Sequence, residues 1–576
     1  MMNIKARTDT SVADPSLQTQ LEALAARFSS ECDMVRTKLS RRNYHSSLPV
    51  GEQAHEVLGS LGYAILLLKH GGKAEVERAR RIVTKVISLQ NTDPCEPTYG
   101  IWPYYLEEPV ARMAPPDWNW ADFCGARLAT MLAEHVTVLG EELVALMRDA
   151  LAHAAWSIFR RNVQPDYTNI AVMGGGVTAV AGETLDEPRL LAYGRRRLER
   201  VLAYARQQGG FTEYNSPTYT MVTLLEAERT LQLVRDPVVR ESAEGLRQLA
   251  WQTIARHYHP PTQQWAGPHA RAYADHLAGN TVGLLNARLP QPITVHPRHA
   301  GEKAGTLEAG IRPLPCPAAL VECFARLDPP EQEHHDSFAR DHAGRSTVAG
   351  TTWLHHQATL ASVNRGELWN QRRPLIGYWA SDADPAVVLR VRLLKDDEDF
   401  ASGYLRCIQK RNRVLCLMTM LRDGGDFHLF LDRPADGNFQ AHDLRLRLEL
   451  AGQGVEVRQL DAQRYVLAAG TWRAVVHLPE TGPTLLEHNP RWESRQLDDR
   501  VVLDAVWWSG QTRTFNLATD NRPCWQAWAL ELLHDDEPAS DAPLQIAALS
   551  DQQVAVVWEP EQSMRMESTI LAHDRP

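Results

Sequence analysis

The spacing of apolar residues changes once along this chain, and that change bounds the fold more tightly than any motif. From about residue 16 to 290 apolar side chains recur every three or four positions, as in Leu17, Leu21, Leu24, Ala25 and Phe28, then Val57, Leu58, Leu61, Ala64 and Leu67. That is the period of an amphipathic helix. Segments near 74–90, 119–136, 139–160, 168–182, 187–208, 217–234, 236–257 and 270–288 bring the expected helices to about ten. Short polar, Gly or Pro connections between them favour antiparallel hairpins. No residue-level repeat consensus is visible, which favours closure into a double-layered toroid over an open solenoid. Past residue 290 the texture differs: Pro290, Pro292, Pro297, Pro313, Pro315 and Pro317 punctuate a linker with one short helix at 317–326. Strand patterns follow, among them Val387–Leu393, Phe427–Leu431, Leu444–Leu448, Arg473–Leu478 and Val554–Trp558. The expected architecture is multidomain, α then β: residues 1–15 a disordered N-terminus, 16–290 an (α/α) toroid carrying catalysis, 291–344 a linker region, and 345–576 an antiparallel β-sandwich.

A chain of 576 residues, 44% hydrophobic, is too long for one ordinary core and rich enough to fill two. The formal charge of -10, with no run of basic residues, argues against a nucleic-acid partner. No apolar run is long enough for a membrane span, and the first residues lack a signal-peptide pattern, so a cytoplasmic location is expected. Eight cysteines without a CxxC pair fit a reduced compartment. The histidines His334, His335, His342, His355 and His356 form no ligand set, because adjacent His pairs do not readily share one tetrahedral ion. No metal site and no cofactor is expected from the residues themselves, and oligomeric state is not legible.

Four segments carry chemistry. Gly209-Gly210-Phe211-Thr212-Glu213-Tyr214-Asn215-Ser216-Pro217-Thr218-Tyr219 packs a carboxylate, phenols and an amide into a turn that opens a helix, as the rim of a substrate cleft would. Asn169 opens another helix before Gly174-Gly175-Gly176, where an N-cap is the economical reading; the glycines lack the Lys-Ser/Thr of a phosphate loop. His269, Arg271 and Tyr273 alternate where a further helix is expected, bringing a base, a fixed cation and a phenol together. Trp102, Trp118 and Trp120, with Asp117 and Asp122, sit on proline-bearing loops; the rings suit sugar-stacking platforms or, equally, helix-end plugs.

These segments resemble polysaccharide lyases that join an α/α toroid to a β-sandwich, such as hyaluronate and chondroitin lyases and heparinase II/III-like and alginate lyases. Gly210-Phe211-Thr212-Glu213-Tyr214 with Tyr219 downstream is similar to the Gly-Ser-Phe-x-x-His segment and following Tyr of the chondroitin-type enzymes. Tyr214 stands where that pattern has His, so the family's general base does not carry over. The resemblance implies that Tyr219 matches the catalytic Tyr and Asn169 the Asn that neutralises the substrate carboxylate. The stretches 358–365 and 369–374 resemble the start of the lyase sandwich. Related lyases that hold a structural metal in the sandwich leave room for a divalent ion there.

The resemblance implies β-elimination on a uronic-acid poly- or oligosaccharide, so the expected partner is an anionic carbohydrate. Removing a proton beside a carboxylate needs a base at that carbon and a group that stabilises charge pushed onto the carboxylate. Asn169, Asn215, His269 and Arg271 suit stabilisation; Tyr219 or Tyr273, with Arg271 to lower a phenol's pKa, suits proton transfer, and His269 is the competing base. A glycoside hydrolase using Glu213 with Asp117 or Asp122 is the rival. A non-catalytic glycan-binding protein is the third reading.

Overall fold

The computed structural model describes residues 15–40, 43–298, 310–423, 425–429, 431–434, 436–485, 488–519 and 522–575. Of the fifteen N-terminal residues expected to be disordered, 1–14 lie outside the described residues and Pro15 opens the first helix. Eleven α-helices occur among the described residues: α1 Pro15–Ala25, α2 Val57–His70, α3 Lys73–Ile87, α4 Trp120–Glu134, α5 Val136–Leu139, α6 Glu141–Arg161, α7 Thr168–Leu185, α8 Pro188–Gln208, α9 Tyr219–Leu233, α10 Pro237–His257 and α11 Gly279–Asn286.

Hairpins pair α2 with α3, α4 with α6, α7 with α8 and α9 with α10. In each pair the first helix is the inner one. α7 is buried along almost its whole length, from Thr168 to Gly182, whereas α8 buries one stripe that includes Leu190, Leu198, Val201, Leu202 and Ala205. A helix apolar all round belongs inside two layers, and a one-sided helix belongs outside. The glycines of α7 make this packing fit. A Cβ on Gly174 would lie 2.4 Å from Asp122 Oδ1 of α4, and one on Gly176 would lie 2.4 Å from Thr230 Oγ1 of α9. The result is the toroid expected from the helical period.

The second half is an antiparallel sandwich. One sheet runs in the order 491–496, 500–516, 438–451, 387–395, 375–379, 358–363, 346–355 and 331–340. The facing sheet runs 455–459, 464–469, 472–477, 524–534, 413–420, 403–410 and 365–368. Trp379, Phe400, Leu446, Leu503 and Trp528 fill the space between them. A three-stranded sheet, 545–550, 553–558 and 564–569, brings Trp558 into one apolar cluster with Trp525 of the facing sheet.

One boundary and two local elements differ from expectation. The sandwich begins at Glu331, inside the expected linker, because Glu331–Arg340 is a polar edge strand, mostly half-buried, in which only Phe338 is buried and no apolar alternation shows. The expected short helix is a 3-10 turn, Ala318–Phe324. Within the helical half, Phe28–Ser29, Met34–Lys38 and Gln53–Glu56 form a small antiparallel sheet. The halves are joined by polar bonds across the first large sheet: Asp275 takes Arg373 and Arg390, Arg298 takes Asp384, and Thr352 Oγ1 donates to the Gly267 carbonyl. No helix among the described residues is long and apolar enough to cross a membrane.

Candidate active site

Four pieces of chain meet where the toroid faces the sandwich: the start of α7, the loop between α8 and α9, the loop ahead of α11, and the turn after residue 368. α8 stops at Gly209, whose φ of 92° completes a left-handed C-cap with its N–H on the Ala205 carbonyl. The chain then reaches Asn215, also left-handed at φ 44°. Ser216 Oγ donates to the Arg271 carbonyl at 2.6 Å and accepts the Tyr219 N–H at 2.8 Å. One hydroxyl therefore caps α9 and fixes Arg271 beside it.

Arg271 is the hub of the site. Its guanidinium donates to Tyr219 Oη at 3.0 Å, to Tyr273 Oη at 3.4 Å and to Gln371 Oε1 at 2.6 Å, and lies 3.8 Å from Glu213 Oε1. Its plane sits 4.7 Å from the Tyr219 ring centre and 5.0 Å from that of Trp369. Burial works against the charge, but Tyr219, Tyr273 and Glu213 outweigh it and hold the guanidinium above its ordinary pKa. Tyr219 and Tyr273 share a 2.7 Å hydroxyl contact. Burial raises the Tyr219 phenol well above its usual range, with Arg271 pulling it back. Tyr273 is 45% exposed, so the cluster opens to solvent at that ring.

Glu213 closes the other side. Its Oε2 accepts the backbone N–H of Asn169 at 3.0 Å and the Asn169 amide at 2.5 Å, so the carboxylate, not Asn169, satisfies a free donor at the start of α7. Burial raises the Glu213 pKa above the usual carboxylate value, and Arg271 and the Asn169 donors recover only part of the shift. Asn169 Oδ1 is buried with no partner among the described residues. Tyr167 stands beside this pair, its pKa pushed up to about 12 by burial and then by Glu213 and Asp117. Asn119 donates to Tyr167 Oη at 3.1 Å and takes a bond from Arg161 at 2.6 Å.

Along the rim, Tyr104 stacks on Trp120 at 3.9 Å and donates to Asp117 Oδ2 at 2.6 Å. Trp120 is half-buried, with Tyr104 stacked on it and Phe123 at 5.4 Å. The sequence pattern missed His428, because the run 427–431 reads as a strand while its described residues form a loop. Its ring meets Trp369 edge-on at 5.0 Å, and burial, then Arg271 and His45, lower its pKa to about 4. Nδ1 accepts the Leu431 N–H at 3.3 Å, which leaves the neutral ring's proton on Nε2. No motif surrounds His428; only its contact with the Trp369 turn, itself flagged in the sequence, brings it to the site.

Six candidate residues do not reach the cleft. Asn215 spends its amide on the Ala266 and Pro268 carbonyls, at 2.8 and 3.0 Å, and its oxygen on the Trp265 indole. It is a bracket between two loops. His269 is buried behind that bracket with Nδ1 on the Asn215 carbonyl at 2.7 Å, and burial pushes its pKa down to about 3, so it is no base for a substrate. Tyr214 stacks flat on Phe338 at 4.2 Å, turned toward the sandwich. Asp122 is sealed in the helical wall, where burial raises its pKa to about 7 against the pull of Arg197 and Arg161. Trp102 is fully buried and donates to the Val86 carbonyl, and Trp118 is tied to the Pro97 carbonyl. Trp102 is a plug because no part of its ring reaches solvent, and Trp118 is half-buried against the helical core. Among the described residues no three His, Cys, Asp or Glu side chains gather as a metal site.

Residues 40–289 match a family model described as a domain of unknown function, DUF8769. No curated protein matches. Among solved structures the chain is similar to the chondroitin AC lyase of Streptomyces coelicolor A3 in complex with chondroitin sulphate, with 12% identity and a TM-score of 0.43 over 95% of this chain and 84% of that one. It is also similar to a heparinase III, with 10% identity and a TM-score of 0.35 over 98% and 93%. The endoglucanase CelQ of Clostridium thermocellum matches at 9% identity and a TM-score of 0.26 over 96% and 84%. The fold itself is a helical toroid ahead of an antiparallel sheet domain.

Proposed function

We propose that the protein is a lyase that cleaves uronic-acid-containing poly- or oligosaccharides by β-elimination. The observation that carries this reading is the placement of one guanidinium, Arg271, between a buried carboxyl–amide pair, Glu213 and Asn169, and a pair of touching phenols, Tyr219 and Tyr273. The first pair suits a substrate carboxylate. A carboxyl whose pKa is raised by burial can hold a proton and donate it, and the amide nitrogen that now binds Glu213 can turn to the ligand. Charge pushed onto the substrate carboxylate then meets three donors. Tyr219 first gives up its own proton to solvent, against the burial that raises its pKa and with Arg271 favouring the anion; it then takes the proton from the carbon next to the carboxylate, the C–H electrons form the new double bond, and the glycosidic oxygen leaves with its bonding pair. Tyr273 supplies the proton that oxygen needs and recovers it from Tyr219 or solvent.

A glycoside hydrolase is the second reading, favoured by the raised pKa of Glu213 and by the bearing of both Glu213 and Asp117 on Tyr167. Asp122 leaves that scheme because it is sealed. The two chemistries separate in one assay. A panel of uronate polymers and oligomers is followed for the ultraviolet absorbance of the new double bond and for reducing ends. A lyase makes both in equal amounts, whereas reducing ends without the chromophore would overturn the proposal in favour of hydrolysis.

A further inference from the structure

Resting on the lyase reading, we propose that residues 43–48 strap across one end of the cleft and make the protein act on chain ends, releasing small unsaturated sugars instead of cutting within the polymer. This loop touches both walls of the site. On the sandwich side Tyr44 Oη accepts from Asn370 Nδ2 at 3.0 Å and from Gln371 Nε2 at 3.4 Å, and its ring meets Phe427 at 5.2 Å and His428 at 4.3 Å. Gln371 is the residue whose other amide atom takes Arg271. On the toroid side His45 Nδ1 donates to the Pro115 carbonyl at 2.9 Å, and its Nε2 lies 4.0 Å from Asp117 Oδ2. Ser47 sends both its N–H and its hydroxyl to Glu108 Oε1, at 2.8 and 2.6 Å, and Glu108 is 1% exposed.

A strap anchored at both walls differs in consequence from a loop that lies along one. A groove that binds the middle of a polymer must let the chain enter and leave, so nothing can bridge its walls beside the reacting bond. Here the bridge runs next to the reacting groups, since the Tyr44 hydroxyl bears electrostatically on Tyr273 and is one amide away from Arg271. The substrate must therefore arrive end-first, with His45 and Tyr44 meeting its terminal sugar. The rings of Tyr44, His45 and Tyr104 supply apolar surface at that point, with Asp117 holding the Tyr104 hydroxyl at 2.6 Å.

The test is the size of products early in the reaction, read by size-exclusion chromatography with refractive-index and ultraviolet detection. The wild-type protein should release one small unsaturated product while the polymer peak keeps its length, and shortening the polymer beforehand at constant mass should raise the initial rate in proportion to the number of ends. Tyr44→Ala should turn the single product into a ladder of oligomers, and Tyr44→Phe, which keeps the ring, should stay near the wild-type pattern. A ladder from the wild type, or a rate indifferent to the number of ends, would overturn the strap, and neither readout depends on a variant folding. Shortening without the chromophore would contradict the lyase reading alone, because the size profile still judges the strap. No shortening of any uronate chain would overturn both.

Discussion

Glu213 and Asn215 are two residues apart, as are Arg271 and His269, yet one member of each pair faces the cleft and the other is sealed behind it. The front set, Asn169, Glu213, Tyr219, Arg271 and Tyr273, shares hydrogen bonds around one guanidinium and ends at an exposed ring. The rear set, Asn215, Trp265 and His269, consumes its polar atoms on backbone and on itself. The residue types are alike. What separates the sets is whether a polar atom is spent on the fold or left for a ligand, and that accounting is invisible in a list of polar residues. Front substitutions should remove activity with little loss of stability, and rear substitutions should do the reverse.

The largest effect should come from Arg271→Ala. Removing a preorganised cation that serves both phenols and the carboxyl should lower turnover by about 1,000-fold or more, read as initial rate on whichever substrate the panel identifies, while the thermal midpoint moves little. If the same variant unfolds with its rate per folded molecule unchanged, the hub belongs to the rear set. Asn215→Ala should lose about 2–4 kcal/mol of stability, since it leaves the Trp265 N–H and two carbonyls unpaired in a dry site. Urea titration measures that loss, and turnover of the remaining folded protein should stay within a small factor of wild type.

The buried histidines also predict a pH dependence. Burial lowers the pKa of His269 to about 3 and those of His259 and His276 to about 4, all below the ordinary imidazole value. The unfolded chain therefore binds more protons than the folded one as pH falls below about 6.5, and stability should decline there at about 1.4 kcal/mol per pH unit for each such histidine. Denaturation midpoints between neutral and mildly acid pH check the slope, which His269→Asn should make shallower. The smallest effect belongs to the rim: Trp120→Ala removes a stacked ring worth about 1 kcal/mol. It should raise KM several-fold with kcat nearly unchanged.

Much of the architecture was legible because burial imposes a period, and the period of α7 or of residues 387–395 follows from which faces are covered. The exceptions have their causes elsewhere in the chain. Residues 270–278 carry a helix-like apolar pattern but form a loop, because the N–H groups of His269, Ala270 and Ala272 are taken by the carbonyls of Arg373, Tyr214 and Gln371. Those acceptors come from distant chain, so no local pattern announces them. For the same reason the sequence assembles Glu213, Tyr219, Arg271 and Tyr273 as candidates but cannot sort them from Asn215, Tyr214 and His269. Gln371, Trp369 and His428 enter from the sandwich, where neighbouring residues suggest only strands and turns.

The central claim is that the front set does the chemistry through the Tyr219 hydroxyl. The most direct measurement compares Tyr219→Phe with wild type on the best substrate of the panel, with thermal midpoints recorded in parallel. The account predicts a rate loss of about 100-fold to 10,000-fold with the thermal midpoint nearly unchanged, because the ring still stacks under Arg271 while its oxygen is gone. A variant that turns over at close to the wild-type rate would contradict it.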